Sequence, residues 1–196
     1  MVAASITPGS DITLHHVGVN PTRIGVINIL RQMGAKISLT NEIEVGGEPV
    51  ADIRVQYAKL VGIEIPESQV PLAIDEFPAI FIAAACAQGE TILTGAKELR
   101  VKESDRIQSM ADGLNTSGID AMATADGIRI VGGEIGSGRV LSHHDHRIAM
   151  AFAIAGLRAQ GEIIVEDCSN VATSFPDFLV CAASVGLVIN TETVND

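Results

Sequence analysis

Residues 104–121 read Ser-Asp-Arg-Ile-Gln-Ser-Met-Ala-Asp-Gly-Leu-Asn-Thr-Ser-Gly-Ile-Asp-Ala. Ser104 can cap a helix, and Ile107, Met110, Ala111 and Leu114 recur at helical spacing. Gly118 stands where a helix commonly ends, and Ile119 and Ala121 begin an alternating strand. The same succession occurs twice more. Asn20-Pro21 opens an earlier copy, with proline suited to the first helical position. Ile24, Ile27 and Leu30 then share a face, Gly34 ends the helix, and Ile37 and Leu39 alternate. Ser174 opens a later copy, ahead of Phe175, Phe178, Leu179, Ala182 and Gly186.

A second helix type interleaves with the first. Asp75 is expected to cap a helix through Ile80, Phe81 and Ala84 that stops near Gly89, before a strand at Thr91-Ile92-Leu93. Asp145 is expected to cap its counterpart through Ile148, Phe152 and Ala155, stopping near Gly161 before Ile163-Ile164-Val165. In the first copy only a tail of this helix is expected, from Ala3-Ala4 to Ser10, before a strand at Ile12–Leu14. Asp126-Gly127 is a strong hairpin turn dipeptide. The prediction is an α/β (α+β) domain over residues 1–196 with pseudo-threefold repetition, in units at 1–70, 71–133 and 134–196, the first lacking its N-terminal helix.

Of 196 residues, 47% are hydrophobic and only 3% aromatic, with no Trp, so the core is expected to be aliphatic and closely packed. The net charge of −11 argues against a nucleic-acid binder, although a few converging cations can still hold a small anion. Cys86, Cys168 and Cys181 form no CxxC pair and sit in apolar runs, which suggests buried free thiols in a reducing compartment. The opening Met1-Val2-Ala3-Ala4 has no charged signal region and no long apolar stretch follows, so a cytoplasmic protein without a membrane span is expected.

Polar residues concentrate at four helix starts. Arg100-Val101-Lys102-Glu103-Ser104-Asp105-Arg106 is the densest group. Free backbone N–H groups at a helix start attract anions, and arginine suits phosphate and carboxylate. Lys102 and Arg106 would share a face if the helix began early. The plainer reading is a solvated helix start with local ion pairs. His143-His144-Asp145-His146-Arg147 brings three imidazoles together, but adjacent residues splay apart, so no metal is expected. There Asp145 is either a cap alone or the partner of an anion-binding Arg147. Asp75, in Ile74-Asp75-Glu76-Phe77-Pro78, is either a plain cap or an acid–base group. Thr173-Ser174-Phe175-Pro176-Asp177 reads as a capped helix start.

Taken in order, Arg-Val-Lys-Glu-Ser-Asp-Arg at 100–106, Asp-His-Arg at 145–147 and Ser-Phe-Pro-Asp at 174–177 resemble the EPSP synthase family, as do Asn20-Pro21-Thr22-Arg23 and Met33-Gly34-Ala35. The resemblance runs over essentially the whole chain. It implies one lobe, the C-terminal one, of a two-lobed enzyme, each lobe built from three βαβαββ units with the active site between them. The implied reaction passes the enolpyruvyl group of phosphoenolpyruvate to the 5-hydroxyl of shikimate 3-phosphate by addition and elimination, without a cofactor. By the same resemblance Asp75 and Glu103 are the catalytic carboxyl groups, their division of labour open. Arg106 and Arg147 hold phosphoenolpyruvate, Lys102 and Asp75 lie near shikimate 3-phosphate, and Asp145 and His146 support them. Some members carry a lysine where Thr173 stands. The intact enzyme is expected to be a monomer and the isolated lobe inactive. A UDP-N-acetylglucosamine enolpyruvyl transferase, and a non-catalytic repeat module that joins partners, are the alternatives.

Overall fold

The computed structural model describes residues 1–192. The chain opens with a short helix, α1 (Val2–Ile6), and continues through strand β1 (Asp11–Gly18), helix α2 (Gly25–Gln32) and the hairpin β2 (Lys36–Val45) and β3 (Glu48–Gln56). A second pass follows: α3 (Phe77–Ala85), β4 (Glu90–Leu93), α4 (Arg106–Thr116), then the hairpin β5 (Asp120–Ala123) and β6 (Ile128–Val131). A third consists of β7 (Gly138–Leu141), α5 (His146–Ala155), β8 (Ile163–Glu166), α6 (Asn170–Ser174) and α7 (Phe178–Ser184).

The first two passes make the same sheet. Their strand orders are β1-β3-β2 and β4-β6-β5, antiparallel throughout. Gln56 pairs with both Asp11 and Lys36, as Val131 pairs with both Glu90 and Asp120. In the third, β7 and β8 pair in parallel. Residues 61–64 play the part of β7 in the second pass, bridging in parallel to Gln88 and Ile92. By hydrogen bonding this segment goes with the second unit, earlier than the division expected near residue 70.

Helices α1 to α5 form the inner layer and the sheets cover them, while α6 and α7 lie outside. The run Phe-Pro-Ala-Ile-Phe-Ile-Ala-Ala-Ala has no polar side chain, and α3 is accordingly buried all round, Ala79 excepted. It touches α1, α2, α4, α5 and β6, and Phe77 stacks on Phe81 with ring centroids 5.7 Å apart. Two glycines set how closely helices approach. A Cβ on Gly25, at the start of α2, would lie 2.6 Å from the carbonyl carbon of Leu72, three residues before Asp75. A Cβ on Gly113 would lie 2.3 Å from the fully buried Phe152 ring, so this glycine lets α4 and α5 pack side by side.

Several expected caps fall elsewhere. Asp105, not Ser104, caps α4, its Oδ1 accepting from the Gln108 N–H at 3.0 Å. Because the helix begins only at Arg106, Lys102 does not share it. Asn20 folds a turn back onto Thr22, five residues before α2 begins, so Pro21 is not at the first helical position. Ser174 ends α6 instead of starting α7. Glu76 occupies the cap position of α3, which leaves the Asp75 side chain free for other partners. Helix α5 stops at Ala155, before the expected Gly161. Asp145 does cap α5, accepting from the Arg147 N–H at 2.9 Å. Of the thiols only Cys86 is even half-buried; Cys168 and Cys181 are exposed, because α6 and α7 lie on the surface with Ala182 alone buried. Among the described residues no helix is long and apolar enough to cross a membrane.

Candidate active site

The beginnings of α3, α4 and α5 meet, and the residues singled out there come into contact. Asp75, two residues before α3, is the hub. Its Oδ1 lies 3.3 Å from Arg106 NH1 and 3.5 Å from Lys102 Nζ, and its Oδ2 lies 3.7 Å from Arg147 NH2. Arg147 NH1 also donates to the Asp75 backbone carbonyl at 2.9 Å. Lys102 bonds a second carboxylate, Glu98, at 2.5 Å. Glu103 pairs with Arg106 NH2.

Arg106 is enclosed. Its side chain has 0% exposure, and its Nε donates to Asp145 Oδ2 at 2.8 Å. Asp145 is buried too, accepting in addition from the Arg147 backbone and from Ser104 Oγ at 3.1 Å. One carboxylate therefore ties the start of α4 to the start of α5. Arg147 keeps 33% of its side chain exposed. The two arginines differ accordingly: Arg147, tied to Asp75, is partly open to solvent, while Arg106 is held by Asp75, Glu103 and Asp145 and reaches an incoming anion only if one of them gives way.

The charges set the protonation states. Partial burial pushes the Asp75 carboxyl up, but Arg147, Lys102 and Arg106 together outweigh it and hold its pKa below the ordinary carboxylate value. Asp145 likewise has burial opposed by Arg106, by the Arg147 N–H and by Ser104, with a net lowering. Both are carboxylates at neutral pH. Glu76, not singled out in the sequence, moves the other way: burial raises its pKa, Arg147 opposes this and Asp75 reinforces it. A half-buried acid beside the cluster was hidden from sequence reasoning by its place next to Asp75, the more obvious cap.

Four carboxylates, Asp75, Glu98, Glu103 and Asp145, here face three cations, Lys102, Arg106 and Arg147. The arrangement keeps acid–base groups and guanidinium groups side by side, but it has no surplus of positive charge. His146 opens α5 half-buried and forms no ion pair among the described residues. His143 and His144 both adopt left-handed backbone angles in the turn before it. No group of three or more His, Cys, Asp or Glu able to hold a metal occurs among the described residues. Thr173 lies in α6, on the surface.

The family model described as EPSP synthase (3-phosphoshikimate 1-carboxyvinyltransferase) matches residues 1–180. The 3-phosphoshikimate 1-carboxyvinyltransferase of Methylococcus capsulatus is 65% identical over 189 residues, 96% of this chain and 43% of the relative. That of Nitrosococcus oceani is 66% identical over the same shares. The EPSP synthase structure from Acinetobacter baumannii superposes with a TM-score of 0.95 at 57% identity, over 98% of this chain and 45% of that one. The enolpyruvyl transferase NikO from Streptomyces tendae shares the fold, with a TM-score of 0.71 at 16% identity over 99% of this chain and 43% of that one. The chain thus spans less than half the length of these relatives, and it belongs to the EPSP synthase family.

Proposed function

We propose that this chain is the C-terminal lobe of an enzyme that moves the enolpyruvyl group of phosphoenolpyruvate onto the 5-hydroxyl of shikimate 3-phosphate, and that it works only with the rest of the polypeptide. The observation that carries this reading is the Asp75 carboxylate ringed by Lys102, Arg106 and Arg147 at the shared end of three helices. Two carboxyl groups are needed: one protonates the methylene carbon of phosphoenolpyruvate, the other takes the hydroxyl proton as that oxygen attacks the neighbouring carbon. The roles then reverse, a methyl proton leaves and phosphate departs. Asp75, held ionised by three cations, suits the base for the hydroxyl; Glu103, paired among the described residues with Arg106 alone, is left for the methylene. Arg147 offers a partly exposed guanidinium to the phosphoenolpyruvate anion, with Arg106 behind it, and Lys102 faces shikimate 3-phosphate. Asp145 and His146 support this end of α5.

The local balance of charge supports a shared site. Two polyanionic substrates require more positive charge than three already paired cations supply, and the rest of the polypeptide is the expected source. The reading needs no metal or organic cofactor, and places a monomeric two-lobed enzyme in the cytoplasm. The test is phosphate release from the two substrates. A full-length polypeptide carrying this lobe should turn over, and the lobe alone should stay at background. Robust turnover by a clean preparation of the lobe alone overturns the shared site. Turnover with UDP-N-acetylglucosamine in place of shikimate 3-phosphate overturns the substrate assignment.

A further inference from the structure

We infer that Arg100 and Asp105 form a clasp that positions Lys102 and Glu103, so that Arg100 is a positioning residue for the reaction although it touches none of the charged cluster. The inference rests on the function proposed above. Lys102 and Glu103 lie between a 3-10 turn (Lys97–Val101) and α4, on a segment with little packing of its own: Val101 between them and Arg100 is 80% exposed. Each end of the segment is fixed. Leu99, fully buried, anchors the turn, and Asp105 Oδ1 caps α4 through the Gln108 N–H.

Arg100 joins the two ends. Its NH1 donates to Asp105 Oδ2 at 2.6 Å, its Nε to the Ala125 carbonyl at 3.0 Å, and its NH2 to the Thr124 carbonyl. One planar guanidinium thus spans the α4 cap and the β5–β6 turn. That turn is itself strapped to the chain ahead of Arg100, the Ala96 N–H donating to the Asp126 carbonyl at 2.7 Å and the Gly95 N–H to Asp126 Oδ2 at 3.0 Å. Asp105 divides its two oxygens between capping the helix and closing the clasp. Only a fork of several N–H donors satisfies both carbonyls and the carboxylate together, which lysine does not. With the ends pinned at fixed separation, the residues between them have few conformations, and Lys102 and Glu103 are presented to Asp75 and Arg106 without loss of entropy at binding.

The capping and clasping duties separate by mutation. In the full-length enzyme, Asp105→Ser keeps an oxygen for the Gln108 N–H and removes the carboxylate that Arg100 holds. Arg100→Lys keeps the charge and loses the fork. Both variants should lower kcat roughly 10- to 100-fold and raise KM for shikimate 3-phosphate through Lys102. KM for phosphoenolpyruvate, served by Arg147, and the melting temperature should stay near parental values. In the same samples, amide hydrogen exchange at residues 101–104 should accelerate while exchange in α4 does not. Parental kcat and KM in Asp105→Ser and Arg100→Lys overturn the clasp, and so does unchanged exchange at 101–104. A parent enzyme without carboxyvinyl transfer removes the functional reading instead, and the exchange measurement then decides the clasp by itself.

Discussion

Two regions of this molecule are dense in interlocked charge, and they are built differently. On the first sheet, Arg54 bonds both oxygens of Asp11 across β1 and β3, at 2.8 and 2.6 Å, and Asp52 on β3 accepts from Asn41 Nδ2, from the His16 N–H and from His15. These partners come from neighbouring strands of one sheet; Arg54 and Asp11 stand largely in solvent, where ion pairs contribute little, and Asp52 is half-buried among exposed partners. At the meeting of α3, α4 and α5 the partners come from segments as far apart as Asp75 and Arg147, and the central pair of Arg106 and Asp145 is wholly buried. Charge density alone does not distinguish a site from a decorated sheet. Convergence of remote segments, with burial that holds each group to one geometry, does.

The sharpest separation of the two regions is catalytic. Asp75→Asn in the full-length enzyme should lower kcat by roughly 10²- to 10⁴-fold, the usual range for an acid–base group. Its melting temperature should stay close to the parent's, because Asp75 caps no helix. A variant with normal kinetics would put Asp75 on a par with the sheet carboxylates.

Stability gives the second separation. Arg106→Ala leaves Asp145 buried without its guanidinium, and should cost about 3–5 kcal/mol in urea unfolding. Arg54→Ala, at an exposed pair, should leave the unfolding midpoint within error of the parent. Equal midpoints for the two variants would show that burial of Arg106 does not constrain the fold. Because Arg106→Ala damages the fold, Arg147→Ala is the cleaner probe of anion binding. It should weaken phosphoenolpyruvate binding by about 1.5–3 kcal/mol, roughly tenfold to a hundredfold in affinity, with little change in melting. Isothermal titration of the full-length enzyme with phosphoenolpyruvate, in the presence of shikimate 3-phosphate, reads this directly.

Much of the scaffold was legible, because its signals are local. Gly34, Gly118 and Gly186 directly follow the ends of α2, α4 and α7 in the left-handed conformation suited to a stop, and β4 and β8 cover the expected strands. What was hidden depends on distant partners. Ser104 and Asp105 are adjacent and equally able to cap; Ser104 is drawn instead to Asp145, which is 41 residues away. Asn20 is likewise engaged by Glu48, besides its own turn. The parallel pairing of residues 61–64 involves too few residues to show any periodicity. For the candidate site, sequence singled out residues that the fold brings into contact, but presented both arginines alike. Only the packing of α4 on α5 shows that Arg106 is enclosed and Arg147 is partly open.

The smallest expected effect concerns Asp52, and its sign tests the first sheet as a purely structural network. Hydrogen bonds from Asn41, the His16 N–H and His15 lower its pKa from an ordinary 3.8 to about 2. A carboxylate with a depressed folded-state pKa adds stability that is fully present above the unfolded value and is lost as pH falls through the folded one. Asp52→Asn should therefore unfold at slightly lower urea than the parent from pH 7 down to about 4. The gap should then shrink as pH falls toward 2 and close only below it, where both side chains are neutral. Asp145→Asn provides the contrast. Its carboxyl is also held below the ordinary value, but it is buried against Arg106, so the gap at pH 7 should be much the larger of the two, and it too should narrow in acid. Since the solvated network lies away from Asp75, Asp52→Asn should leave kcat of the full-length enzyme unchanged at pH 7. A fall in kcat there would join the sheet network to the site. A urea gap that stays constant from pH 7 to pH 2 would show that the ionised form of Asp52 is not what the hydrogen bonds favour.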